Sequence, residues 1–434
     1  MRLRRILFVL ILGSVLVTGL LAGPVSFIYV KDHTFYAKRV PYYFVGANYW
    51  YGSFLGLEKD RVKGVDRLRR ELDFLKANGV MNLRLIAGAE GSGLMNGVTR
   101  VGPPLQPESG RFDAEVLDGL DLVLYEMGKR QMKAVIFLSN NWEWSGGFQQ
   151  YLIWNGVIGK EYFTKKPDWD DLRDVVAKFY SCGACKEGYN RQVRFILNRT
   201  NKLSRLKYTE DPAIMAWELA NEPRPMRPAA NADYGRWIAD SAAMIKKIDK
   251  NHLVTTGHEG WIGTTDIALY EEIHNDKNID YLTIHIWPKN WGWFTNGQMA
   301  GGFANAVSRS EKYISENAAV AAKLNKPLVI EEFGLPRDGQ SFDPASATVY
   351  RDKYYGTILS HIGNQPGGNG FIAGANFWAF GGTARPKKGQ IFWKTGDDLM
   401  GDPPMEEQGL NSVFDSDKAT WNVIRTVAAP VAGK

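Results

Sequence analysis

Two apolar stretches of this chain end in carboxylates. One reads Trp217-Glu218-Leu219-Ala220-Asn221-Glu222-Pro223 and the other Val329-Ile330-Glu331-Glu332-Phe333-Gly334. Charge at the end of an apolar, strand-like run is unusual for packing and expected for catalysis. If two such ends open into one cleft, one carboxyl can protonate a leaving oxygen while the other works on the opposite face of a sugar, as glycoside hydrolysis requires. Spacing alone leaves open a second reading, in which these glutamates cap or pair with cations. Arg84 lies between Leu83 and Leu85, so if the leucines face helices the guanidinium points inward and needs a carboxylate partner. His285 and Trp287 are two residues apart and share a face of one strand. Strict alternation puts Asn221 and Glu222 on opposite faces, so that strand end must bulge or twist if both reach one site. Alternation cannot choose between Glu331 and Glu332. The six histidines are scattered with no pair at ligand spacing, so no metal and no cofactor is implied.

Gathering these residues requires a scaffold that brings many strand ends together. Eight short apolar strands are predicted: Phe44–Trp50, Val80–Gly88, Lys133–Asn140, Ile214–Pro223, Leu253–Gly260, Tyr281–Pro288, Leu328–Gly334 and Phe371–Phe380. Helical periodicity separates them at Val62–Asn78, Ala114–Arg130, Leu172–Asn201, Tyr234–Asp249, Ala306–Leu324 and Thr348–Gly363, with Asp417–Ala428 closing the chain. The segment after the fifth strand is only weakly helical. Eight βα units are the count of a (β/α)8 TIM barrel, an α/β fold whose sites lie at the C-terminal ends of the strands. The long loops after strands two, three, four, six and eight are all on that face. So are ten of the 14 tryptophans: Trp50, Trp142, Trp144, Trp154, Trp261, Trp287, Trp291, Trp293, Trp378 and Trp393. Flat rings with an N–H at the edge suit a sugar, apolar on its faces and hydroxylated at its rim.

Composition fits one folded catalytic body. The chain has 434 residues, 44% hydrophobic and 23% charged, which excludes intrinsic disorder as its main state. The formal net charge is +6, but Arg2, Arg4 and Arg5 supply half of the excess and the remaining charges are interleaved, so no basic stripe points to nucleic acid. The apolar run from Ile6 to Ala22 falls between the roughly 7–15 residues of a signal-peptide core and the roughly 20 of a membrane span. Residues 1–30 are therefore read as a signal peptide or an N-terminal membrane anchor. Residues 31–434 are read as the catalytic domain, exported and either secreted, periplasmic or anchored outside the cytoplasm. Cys182 and Cys185 are expected to close a small disulfide loop in that compartment.

Asn221-Glu222-Pro223 closing strand four and Glu332-Phe333-Gly334 closing strand seven resemble the paired signatures of glycoside hydrolase family 5 in clan A, retaining enzymes on a (β/α)8 barrel. Phe44 to Trp50, Trp217 to Arg224, His285-Ile286-Trp287-Pro288-Lys289-Asn290-Trp291 and Glu332 to Pro336 are similar to its endo-β-1,4-mannanases. The resemblance implies Glu222 as acid/base and Glu332 as nucleophile, with Glu331 pointing away from the cleft. It implies that Arg84 holds the nucleophile ionised, that Asn221 binds the sugar 2-OH, and that Trp378 forms the platform under the sugar at the cleavage point. Asn141 and Glu259, ending strands three and five, are expected to bind hydroxyls. Many family members carry Tyr where Trp287 stands, so support of the nucleophile is expected to differ here. The implied partner is β-mannan or glucomannan. The rivals are a β-1,4-glucanase on the same barrel and an inactive carbohydrate-binding barrel. The acid/base Glu222 is expected to have its proton affinity raised by the neighbouring negative charge.

Overall fold

The computed structural model describes residues 26–164, 167–294 and 299–432. Eight parallel strands, β1 (Phe44–Asn48), β2 (Val80–Ile86), β3 (Lys133–Phe137), β4 (Ile214–Glu218), β5 (Leu253–Thr255), β6 (Leu282–Ile286), β7 (Leu328–Phe333) and β8 (Ile372–Phe377), form one sheet. Their order is β5-β4-β3-β2-β1-β8-β7-β6. The two outer strands of that order approach through backbone bonds from Asp280 N to Val254 O (2.8 Å) and from His285 N to Glu259 O (3.0 Å), so the sheet curls into a nearly closed barrel. Nearly every strand residue is buried. That burial on both faces is why these strands read as continuous apolar runs rather than as an alternation.

The helices coat the barrel because each presents one apolar stripe. In α1 (Arg61–Ala77), Leu68, Leu72 and Leu75 are buried on one face, and the Asp60 carboxylate caps the first turn by accepting from Lys63 N (3.1 Å). Each buried leucine contributes about 1.5–3 kcal/mol before the entropy of ordering it. At the other end of the barrel, an antiparallel meander of Tyr29–Lys31, Thr34–Ala37 and Val40–Pro41 brings Ile28 and Phe35 against Phe44, Val135, Met215, Leu253, Tyr281 and Val329. This plug closes the N-terminal end of the barrel and leaves the C-terminal end for the site.

All eight expected strands are present, though shorter at their C-terminal ends. The stretch Leu172–Asn201, read as one helix, is two: Trp169–Ser181 and Gly183–Leu197. They break at Cys182, which is extended and accepts at Sγ from Cys185 N (3.1 Å); Cys182 and Cys185 form the expected disulfide. After β5 come only short helices, Trp261–Thr264 and Ile267–His274. Of the segment read as a signal peptide or anchor, residues 1–25 lie outside the described residues. Among the described residues no helix is long and apolar enough to cross a membrane.

Candidate active site

Regular pairing of β4 stops at Glu218, and the chain runs on through Leu219–Glu222 with its amides bonding to both neighbours. Leu219 N donates to Thr255 O (3.0 Å), Asn221 N to Ser139 O (2.9 Å) and Glu222 N to Gly257 O (2.9 Å). Glu222 has a φ of 51°, in the left-handed region that non-glycine residues rarely occupy. That turn defeats strict alternation and brings Asn221 and Glu222 to one site. A different irregularity serves β7. Ile284 pairs with Ile330 but His285 pairs with Glu332, so Glu331 is the extra residue of a bulge. The bulge lets two consecutive glutamates both face inward. Glu331 is off the cleft wall as expected, but it points into the barrel beneath the site rather than away toward the helices.

Arg84, fully buried on β2, links the parts. Its Nη1 donates to Glu332 Oε1 (2.5 Å) and Asn48 Oδ1 (3.1 Å), its Nη2 to Glu218 Oε1 (2.5 Å) and Asn221 Oδ1 (2.8 Å), and its Nε to Glu218 Oε2 (2.8 Å). One planar guanidinium thus orients Glu332 and Asn221, the residue beside Glu222, together. Glu332 Oε2 also accepts from Trp287 Nε1 (3.2 Å). The indole N–H therefore donates to Glu332, so the expected difference at this position is one of donor type, N–H where many family members carry a Tyr O–H. His285 Nδ1 lies 2.6 Å from Glu222 Oε1 and 3.3 Å from Glu332 Oε2. Glu222 Oε2 accepts from Trp142 Nε1 (2.5 Å). Oxygens of Glu222 and Glu332 approach within 4.8 Å of each other. The retaining arrangement sets its carboxyl groups about 5–5.5 Å apart, and the inverting one needs about 6.5–9.5 Å for a water.

The electrostatics correct one expectation. Burial pushes the Glu222 carboxyl up, but the hydrogen bond and charge of His285, the charge of Arg224 and the Trp142 N–H outweigh it and bring the carboxyl down to about 2. His285 moves the other way: burial disfavours its charged form, yet the charge of Glu332, the hydrogen bond with Glu222 and the nearby carboxylate of Glu331 hold it well above its usual value. A proton on this Glu222–His285 pair therefore favours the ring over the carboxyl. Neighbouring negative charge does not hold it on Glu222.

The cleft above these groups is a cavity of about 680 Å³ whose wall includes Trp142, Trp169, Arg224, Glu259, Trp287 and Trp378 besides the two glutamates. Trp287 and Trp378 meet edge to face at 5.9 Å. Of the expected site residues, Asn221, Glu222, Glu259, Trp287, Glu332 and Trp378 line the cavity, with Arg84 and His285 directly beneath. Asn141 is placed otherwise: fully buried, it accepts from Arg224 N (3.3 Å) and so supports the turn after Glu222, while Asn140 accepts from Asn221 Nδ2 (3.1 Å). Glu259 is paired with Arg224, whose guanidinium lies over the Trp142 ring at 5.1 Å and the Trp169 ring at 5.6 Å. Burial pushes the Glu259 carboxyl up to about 7. Sequence reasoning missed Glu218, Arg224, Trp169 and Glu406 of the eighth loop, whose carboxyl burial and surrounding carboxylates drive well above its usual range. Arg224 follows Glu222 by two residues and Glu218 precedes it by four, so both stood in the quoted strings. Trp169, which opens the helix after the third loop, and Glu406, in the eighth loop, carry no comparable signal.

A (β/α)8 barrel that brings oxygens of two glutamates within 4.8 Å, one held by an inward arginine and the other paired with a histidine, defines a glycoside hydrolase. Residues 25–433 match the family described as GH family 5 beta-mannosidase-like, and the chain belongs to that family. Its structure is similar to the glycoside hydrolase family 5 mannosidase from Rhizomucor miehei, with a TM-score of 0.83 and 31% identity over 94% of this chain and 98% of that one. A glutamate-to-alanine mutant of the same enzyme in complex with mannosyl-fructose superposes with a TM-score of 0.82 at 31% identity, covering 94% and 97%. Among curated relatives, mannan endo-1,4-β-mannosidase 7 of Arabidopsis thaliana is 30% identical over 63% of this chain and 62% of its own length. Mannan endo-1,4-β-mannosidase 1 of Oryza sativa subsp. japonica is 28% identical over 82% and 79%. The match thus spans less than two thirds of the Arabidopsis relative.

Proposed function

We propose that this protein is a retaining endo-β-1,4-mannanase that hydrolyses internal mannosidic bonds of mannan or glucomannan by double displacement. The observation that carries the chemistry is the close approach of Glu222 and Glu332, with Arg84 on one and His285 on the other. Glu332 attacks the anomeric carbon while the Glu222–His285 pair gives its proton to the departing oxygen. Glu222 then takes a proton from water, whose oxygen displaces Glu332 from the sugar and returns the pair to its starting state. Trp378 and Trp287 offer ring faces and edges to the sugar at the cleavage point. The mannan assignment is supported by the names of the relatives similar to this chain. Export is supported by the arginines and apolar run of residues 1–30, which act as a signal or anchor for a catalytic domain of residues 31–434 working outside the cytoplasm. Digestion of mannan, glucomannan and cellulose side by side, with products sized over time and their anomeric form followed by NMR, tests the reading. A ladder of manno-oligosaccharides released first as the β-anomer is expected. Mannose alone from the first minutes would overturn the endo assignment, and rapid cleavage of cellulose would replace mannan by glucan.

A further inference from the structure

Glu331 is the extra residue of the β7 bulge and the proposed chemistry leaves it unused. It is fully buried, and neither of its oxygens accepts a hydrogen bond. Carboxylates are not buried in this way without a counter-charge. Two nitrogens converge on one of its oxygens: Arg84 Nε, on a permanent cation, at 3.8 Å and His285 Nε2 at 3.7 Å from Oε2. His285 Nε2 likewise has no hydrogen bond, although its Nδ1 is engaged with Glu222 and Glu332. Two unsatisfied buried groups therefore face each other on the side of the ring away from the substrate. The remaining charged and titratable groups around them are Glu218 on the strand end of β4, Tyr281 preceding β6, Tyr270 on the helix Ile267–His274, and His258 and Glu259 beyond β5, of which burial holds His258 well below its usual value. None of these is a second cation.

We propose that Glu331 is a positioning residue that holds His285 as the imidazolium, with Nε2–H directed at Glu331 and Nδ1–H at the catalytic glutamates. The inference rests on the assignment of Glu222 as acid/base and deepens it. Nδ1 faces carboxylate oxygens, which only accept when ionised, so it donates. With a neutral ring, Nε2 would turn a lone pair toward Glu331, and that geometry survives only if Glu331 itself is protonated. Arg84 Nε on the same oxygen argues against that proton, because it stabilises the carboxylate. The consequence is catalytic. A negative charge behind the ring keeps a proton on the Glu222–His285 pair at pH values where an isolated histidine would have lost it. In glycosylation that proton passes through Glu222 to the leaving oxygen and leaves the ring neutral. In deglycosylation the proton removed from water restores the imidazolium.

The test is ¹⁵N NMR of the full-length enzyme labelled at histidine, with the His285 signals identified by their loss in His285→Asn, followed over pH in wild type and Glu331→Gln. Both ring nitrogens of His285 should remain protonated at pH 7 in wild type. An unprotonated Nε2 in wild type at pH 7 overturns the proposal whether or not any variant folds. In Glu331→Gln the ring should titrate lower by about one pH unit or more, the usual size of a charge effect at this range. The basic limb of kcat/KM against pH should fall by the same amount, and Glu331→Asp should recover part of it. Trp142→Phe, which removes a donor from ionised Glu222, should move that limb upward instead. A uniform loss of rate in Glu331→Gln with both the ring titration and the limb unmoved would make Glu331 merely structural. Absence of any mannan cleavage by wild type would instead strike at the function, and the NMR result would stand apart from it.

Discussion

At the residue scale, Glu222 and Glu332 are distinguished by what donates to them rather than by their types. Glu332 is held by a permanent cation and an indole N–H, which fix its orientation for the attack proposed above. Glu222 lies 2.6 Å from His285 Nδ1, so on the proposed assignment the pair can give a proton and take one back. Replacing Glu332 by Gln, nearly isosteric but not nucleophilic, should remove nearly all turnover while polymer binding persists. Replacing Glu222 by Ala should cost about 10²–10⁴-fold on mannan, the usual range for a lost general acid. The same variant should still be glycosylated by an aryl mannoside with a good leaving group, since that step then needs no proton. Added azide should restore turnover by attacking the glycosyl enzyme without a base. Identical behaviour of the two variants on the activated substrate, with and without azide, would mean that the roles are misassigned.

At the scale of elements, strand ends and the first turns beyond them carry the site. The turn after β3 is held from below by Glu90 of the second loop. Its carboxylate accepts from Ser139 Oγ (2.8 Å), Gln192 Nε2 (2.8 Å) and Gly147 N (3.1 Å), and its amide donates to Ser145 O (2.8 Å). That turn bears Trp142 and Asn140, which reach Glu222 and Asn221. Gly146 makes the approach possible: its φ is 97°, and a Cβ there would stand 1.8 Å from Glu90 O. Gly146→Ala should therefore cost about 1–3 kcal/mol in backbone strain alone. By displacing Trp142 it should also lower kcat/KM on mannan by about tenfold, equivalent to about 1.4 kcal/mol. A lower Tm with unchanged kcat/KM would show that the turn supports the fold without placing Trp142. These turns also mark what was legible beforehand. β1 to β8 were readable because two covered faces give unbroken apolar runs, and polar residues closing such runs, Glu222, His285 and Glu332, stood out against them. The inward turn of Glu331 was not readable, because a bulge depends on pairing with β6 that lies outside local sequence. Trp169 and Glu406 reach the cleft only through the paths of long loops.

At the scale of the whole molecule, the barrel buries more carboxylates than its cations match, and this sets how stability responds to pH. Burial pushes Glu90 up to about 7, Glu259 to about 7 and Glu218 to about 8, against the hydrogen bonds and charges that favour their ionised forms. An unfolded glutamate loses its proton near about 4.3. Between there and about pH 8 the folded chain therefore binds more protons than the unfolded one, so stability falls as pH rises. His285 adds to the same trend: its raised value gives stability that is full below about 6.5 and lost as pH climbs through the folded value. Glu222, brought down to about 2, acts only at the acid end, where its contribution is lost as pH drops below about 4.3. The Tm should accordingly peak near pH 5 and decline toward pH 8. Each extra proton bound amounts to about 1.4 kcal/mol per pH unit, or about 2–4 °C for a sizeable domain. Glu90 offers the cleanest check, because no arginine or lysine hydrogen-bonds its carboxylate. Glu90→Gln cannot titrate, so whatever it does to the absolute Tm, calorimetric scans from pH 4 to 9 should show a shallower decline between about pH 5 and 7. A slope identical to that of wild type would mean that Glu90 ionises at the same pH folded and unfolded, its hydrogen-bond donors offsetting burial in full.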